Sequence, residues 1–223
     1  MTNRTETPFS PVGSLNYQEI LEKAIDLSPN DIVSFLLTEL PYMWRDAYLG
    51  LTPRLTNIWR LRHGSFEYIY DDYETLEMSG VVPFNPIAEA RLVGALGQSK
   101  PTKKVRDDYR LKGWIGPTEK MFGQLWDKGH FIANSIGGAV DGLEANVFVQ
   151  RRDFNRGWSE AGKRYREMER YCMEHPGTFC FSRPLYIDLS ARSAFLEFGI
   201  LKNDRELLVE CFDNRSSEPP LSQ

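Results

Sequence analysis

Trp126-Asp127-Lys128-Gly129-His130-Phe131-Ile132-Ala133 is the stretch that decides how this chain is read. Met121 to Ala133 suits a strand that leads to Gly129-His130. Asn134 to Glu144, with Gly137-Gly138 and Asp141-Gly142, has the composition of a loop. Asn146-Val147-Phe148-Val149-Gln150 is a second short strand. From Asn155 to Glu174, Trp158, Ala161, Tyr165, Met168 and Cys172 recur at steps of three and four, which predicts a helix stopped by Pro176-Gly177. The unit is therefore strand–loop–strand–helix, and it faces a histidine toward an asparagine.

Those residue types suit phosphoryl chemistry. A neutral imidazole can take a proton from water near neutral pH. A carboxamide oxygen is a hard, neutral ligand for Mg²⁺, which keeps most of its waters. One metal can then neutralise charge on a pentavalent phosphorus and on the departing oxygen. A helix starting at Asn155 would add partial positive charge where a phosphate lies. Asn155 as a simple N-cap is the plainer alternative.

Asp127-Lys128-Gly129-His130 resembles the Asp-Arg-Gly-His motif of the DNA/RNA non-specific endonucleases, members of the ββα-metal (His-Me finger) nucleases. Gly137-Gly138, Asn146, Gln150 and Asn155-Arg156-Gly157 follow in that family's order. The resemblance covers about residues 105–215. It implies His130 as general base, Asn155 as metal ligand, Asn146 as an orienting residue, Gly129 for close packing and Asp127 as a support of the strand end. It further implies Mg²⁺, or another divalent cation such as Mn²⁺, and a nucleic-acid substrate, DNA with RNA as a second candidate, cut with little sequence preference. Two positions depart from the pattern. Lys128 replaces the usual Arg and lacks its bidentate fork for phosphate. Lys163 stands where the family places a Glu, leaving Glu160, or else Glu167, to substitute. Arg152, Arg156 and Arg164 are candidate phosphate contacts. The alternative is a decayed module that binds nucleic acid or a protein without cutting.

Outward from this segment, Thr178–Phe181, Leu185–Asp188, Phe195–Leu201 and Glu206–Phe212 read as strands separated by turns. On the other side, Gly94 to Lys104 looks like a linker, residues 85–96 suit a short helix, and Phe66–Tyr70 alternates weakly like a strand. Ser28-Pro29-Asn30-Asp31 starts a helix that Pro41 is expected to close, with a further helical stretch at Met43–Leu49. The expected fold is α+β: a ββα-metal core with antiparallel C-terminal strands over residues 100–215, a helical N-terminal region over 1–95, and a flexible tail at 216–223.

In 223 residues, two-fifths apolar, the chain has enough material for a core. The formal net charge of −4 is unusual for a non-specific nucleic-acid binder. Basic residues are concentrated, however, in one run from Lys100 to Lys112 and another from Arg151 to Arg170, where local field counts for more than the sum. Cys172, Cys180 and Cys211 are odd in number and lack metal-site spacing, so free thiols are expected. His63 and His175 read as surface residues, and Trp158, Tyr165, Phe179 and Phe181 as core. Met1 to Ser14 has no signal-peptide character, and no apolar run approaches the roughly 20 residues that span a bilayer. No membrane role is expected. The chain would be cytoplasmic, or exported without a signal peptide if it is a toxin, in which case an immunity or regulatory protein would accompany it.

Overall fold

The computed structural model describes residues 11–24, 26–102, 123–139, 143–203 and 205–215. Their elements are α1 (Tyr17–Glu22), α2 (Pro29–Leu51), β1 (Ile58–His63), β2 (Phe66–Asp71), α3 (Tyr73–Met78), β3 (Arg91–Gln98), β4 (Trp126–His130), β5 (Val147–Arg151), α4 (Arg152–Asn155), α5 (Glu160–Glu174), β6 (Phe179–Leu185), β7 (Phe195–Lys202) and β8 (Glu206–Asp213). Six strands form one antiparallel sheet in the order β1-β2-β3-β6-β7-β8, and β4 pairs with β5 in a separate ribbon.

The sheet is the middle of three layers. Neighbouring residues on a strand point to opposite faces. Tyr68, Leu92, Ala95, Cys180 and Phe198 join the core under α5 and the ribbon, with Phe131, Phe148, Phe154, Tyr165 and Met168; a register shift opposite Ile69 and Tyr70 resets the alternation in β3 between Leu92 and Ala95. Ile69, Val93, Leu96, Phe179 and Phe181 join the core under α1 and α2, with Ile32, Leu36, Leu40 and Trp44. A strand buried on both faces has no polar alternation to betray it. This is why residues 91–96 have the look of a helix in the sequence yet form β3, buried from Arg91 to Gly97. The presumed linker glycines lie in the same strand. A Cβ at Gly94 would lie 2.5 Å from the Trp44 ring, and one at Gly97 would lie 2.2 Å from Ser65 O. They are there for close packing.

Pro41 does not close its helix: α2 runs through it to Leu51. A helix-interior proline costs about 3 kcal/mol, but Ile32, Leu36, Leu40, Trp44 and Tyr48 on the same helix are all buried. Burial at roughly 1.5–3 kcal/mol per large apolar side chain outweighs the lost hydrogen bond. Residues 58–98, grouped by sequence with the helical N-terminal region, supply half of the six-stranded sheet. β3 pairs with β6 along Ala95–Gln98, so the sheet crosses the boundary expected near residues 95–100.

Buried polar groups tie the N-terminal layer down. Arg183 Nη1 donates to Glu197 Oε2 at 3.0 Å, with both side chains almost wholly buried. Tyr17 Oη donates to the same carboxylate at 2.5 Å, Ser14 Oγ donates to its other oxygen, and Trp44 Nε1 donates to Tyr17 Oη at 3.1 Å. Cys172 and Cys180 are buried free thiols; Cys211 is free but exposed. Among the described residues no helix is long and apolar enough to cross a membrane. The run from Lys103 to Lys112, Asp141-Gly142 and the tail from 216 lie outside the described residues.

Candidate active site

The ribbon sets the positions of the singled-out residues. In β4 and β5, Asp127 faces Gln150, Lys128 faces Val149, Gly129 faces Phe148 and His130 faces Val147. Alternation puts Lys128 and His130 on one side of the pleat and Asp127 and Gly129 on the other. Three strand steps, about 10 Å, separate the Asp127 and His130 backbones. His130 and Lys128 are both partly buried, and burial holds the Lys128 ammonium below its usual pKa.

Asn146 secures the exit of β4. It is fully buried. Its Oδ1 accepts from Ile132 N at 2.9 Å, and its Nδ2 donates to Ile132 O at 2.9 Å and to Ala139 O at 2.5 Å. The backbone just beyond His130 is thereby bound to the start of β5. Gly129 is small for a visible reason: a Cβ there would lie 2.1 Å from Gln150 Oε1. The Gln150 side chain covers it, a role the sequence does not signal.

The strongest cluster gathers around Asp127. Its carboxylate accepts from Arg152 Nε at 2.9 Å, from Arg156 Nε at 2.7 Å and Nη2 at 3.1 Å, and from Asn155 Nδ2 at 3.3 Å. Burial pushes the Asp127 pKa up, but the hydrogen bonds from Arg156, Asn155 and Arg152 outweigh it and hold the carboxyl below its ordinary value. α4 follows β5 without a gap, so Arg152, Asn155 and Arg156 are all delivered to the end of the ribbon where Asp127 stands.

Several expectations change here. Asn155 does not open the long helix. It ends the one-turn α4, and α5 begins at Glu160 with Ser159 as its N-cap, whose side chain accepts from Gly162 N. The α5 dipole therefore does not start at Asn155. Glu160 is exposed and pairs with Lys163 at 2.6 Å, outside the cluster. Arg164 pairs with Glu210 of β8 and with Glu167, also outside it. Arg152 and Arg156 are in the cluster, but their guanidinium groups bind Asp127. Trp158 is 63% exposed, because it precedes α5 and does not share that helix's buried stripe. His63 and His175 are exposed, as the sequence suggests.

Three further contacts leave no signal in the sequence. Arg166 Nη2 donates to Asn155 O at 2.7 Å, fixing α4 from α5. Asn214, fully buried, accepts from Arg151 N at 2.9 Å and donates to Val149 O at 3.0 Å, strapping β5 to the C-terminal segment. Short polar contacts between residues so distant in sequence leave no periodic trace.

A carboxamide oxygen such as Asn155 Oδ1 is a hard, neutral donor of the kind that a divalent cation accepts. With a carboxylate on its Nδ2, the amide can have only one orientation, and its carbonyl oxygen turns away from Asp127. Among the described residues no group of three or more His, Cys, Asp or Glu could hold a metal, so an ion at Asn155 would be held sparsely, with water filling most positions.

No protein-family profile matches the sequence, and no curated protein matches it. Among solved structures, one described as Sda1 nuclease with bound zinc ion is similar at a TM-score of 0.37 and 14% identity, over 72% of this chain and 76% of its own. One described as an extracellular endonuclease is similar at a TM-score of 0.34 and 10% identity, over 74% and 83%. Likeness at this level assigns neither fold nor activity. What the chain itself presents is an α+β structure with an antiparallel sheet and a strand–strand–helix unit.

Proposed function

We propose that this chain is a metal-dependent endonuclease whose β4–β5–α4 unit is a ββα-metal core. One observation carries the proposal: the motif residues Asp127 to His130 lie on one strand of a two-stranded ribbon, and the one-turn helix that follows brings Asn155 to Asp127 with its amide orientation set. In this reading Asn155 Oδ1 holds the cation, and His130 takes the proton of the attacking water at a ring nitrogen. Lys128, on the same side of the pleat as His130, attracts the phosphate as a point charge. Asn146 and Gly129 keep the strand end in place. When bound, Mg²⁺ or Mn²⁺ supplies charge neutralisation at the phosphate and the leaving oxygen. DNA is the expected substrate and RNA the second to test. Sequence preference is expected to be weak, because phosphate and metal contacts carry no sequence information. A toxin or defence role, with an immunity partner, is the biological setting to test first.

Plasmid degradation with added Mg²⁺ is the direct test. Wild type is expected to cut, EDTA to stop cutting, and His130→Ala and Asn155→Ala to abolish it while melting as cooperatively as wild type. If His130→Ala cuts at the wild-type rate, the proposed base is wrong. If wild type binds DNA but never cuts, the decayed-module alternative takes over. A Mn²⁺-soaked crystal decides whether an ion on Asn155, which is held at Asp127, carries a water within reach of His130 on the other side of the pleat; an ion with no water near His130 would remove that residue as the base.

A further inference from the structure

The exposed indole of Trp158 stands three residues from Asn155, at a turn made by Gly157 with φ of 70°. Nothing in a hydrophobic core accounts for it, since it is 63% exposed on the protein surface. Nor is it loosely placed. The Arg156 guanidinium lies 5.1 Å from the ring centroid, and that guanidinium is itself held by two hydrogen bonds to Asp127. Trp158 N donates to Asp153 O at 2.8 Å. Behind the turn, Arg166 packs against Gly157, where a Cβ would lie 2.7 Å from Arg166 Cδ. The carboxylate fixes the guanidinium and the guanidinium lies against the indole. The ring is thus a large aromatic surface, exposed to solvent beside a cation.

We propose that Trp158 is a stacking platform for an unpaired nucleobase, so that this site takes single-stranded nucleic acid, or a locally opened strand, in preference to a closed duplex. The proposal deepens the nuclease reading and rests on it. Every base has a π-face, and stacking on an aromatic side chain is the usual means of holding a strand without reading its sequence. In a duplex both faces of a base are already stacked on neighbours, so a flat aromatic at the surface gains little from it. A protein hot spot would also favour tryptophan, but Arg152 and Arg156 bring two positive charges to the one carboxylate of Asp127, and Arg166 adds a third on Asn155 O; a polyanion is the ligand that such a local excess attracts.

The test separates base from phosphate and binding from cutting. In EDTA, fluorescence anisotropy is read with three labelled ligands: a 12-mer of deoxythymidine, the same length of abasic strand, and a matched duplex. Wild type is expected to bind the base-bearing strand on the order of tenfold tighter than the abasic strand, which is about 1.4 kcal/mol. Trp158→Ala should remove that difference, and Trp158→Phe should restore most of it. An exposed side chain can be truncated without unfolding, which a thermal melt confirms. Equal affinity for the two single strands in wild type, no binding of either, or a difference that persists in Trp158→Ala would overturn the proposal. Cutting is scored separately with Mg²⁺. A protein that discriminates bases but never cuts sinks the nuclease reading alone. One that cuts while ignoring the bases sinks the platform alone.

Discussion

Replacing Asp127 by alanine should cost this protein about 3 kcal/mol of stability, and the figure follows from three kinds of contact. The Arg152 bond is short, at 2.9 Å, between side chains only 18% and 13% exposed; a charge-assisted bond in such a place contributes roughly 1.5–3 kcal/mol. Arg156 makes two bonds but is 44% exposed, so solvent reduces it to about 0–1 kcal/mol. The Asn155 bond is long, at 3.3 Å, and adds about 0.5 kcal/mol. For a chain of this length, each kcal/mol moves Tm by roughly 2–4 °C, so thermal melts should show a fall of about 6–12 °C. The pH dependence has a definite sign. The Asp127 carboxyl is held below its ordinary pKa in the folded state, so its stabilisation is complete above the unfolded value, about 4, and is lost as pH falls through the lower folded value. The gap between wild type and Asp127→Ala should therefore be full at neutral pH and close in acid. A double-mutant cycle with Arg152→Ala should return a coupling of about 1–2 kcal/mol. A loss under about 1 kcal/mol at neutral pH, or strictly additive effects in the cycle, would refute the reasoning.

Other outcomes follow from the packing. Gly129→Ala should destabilise by about 1–3 kcal/mol by overpacking, and Gln150→Ala should relieve only part of it, because the clash with Gln150 Cβ, at 2.7 Å, remains; urea midpoints of the two singles and the double decide. Glu197→Ala leaves Arg183 buried without its carboxylate and should cost about 3–5 kcal/mol in urea unfolding; a change within about 0.5 kcal/mol would mean that the pair is not what pins the N-terminal layer.

Much of the local structure around the candidate site was legible because its signal is local. The strand ending at His130, the strand from Val147 and the long amphipathic helix show in turn composition and periodicity. The order of motif residues points to Asp127, Asn146 and Asn155, of which the hydrogen bonds join Asp127 to Asn155. Sequence spacing starts the long helix too early because the apolar step from Trp158 to Ala161 continues the helical period, whereas Ser159 caps the helix after Trp158. The sheet was less legible. β3 shows no polar alternation from Leu92 to Gly97 because it is packed from both sides, and its glycines mimic a linker because close approach to Trp44 and Ser65 needs the same residue that flexibility does. The arginines near Asn155 read as free phosphate contacts because a sequence cannot show that Asp127, some 25 positions earlier, is their partner.

β3 and β6 are neighbours in the sheet, yet the whole β4-to-α5 segment lies between them in the chain. Its two ends are stitched together, Ser99 N to Thr178 O and Gly177 N to Ser99 O, each at 2.8 Å. During synthesis, then, β1, β2 and β3 emerge with the far side of β3 unpaired and its apolar faces uncovered. They must wait for roughly 80 more residues before β6 arrives, on the order of ten seconds at ribosomal speed. For that interval the nascent chain presents an open strand edge of the kind that invites pairing with other chains. Expression should therefore respond to holdase chaperones and to growth temperature, even for variants whose finished fold is as stable as the parent's.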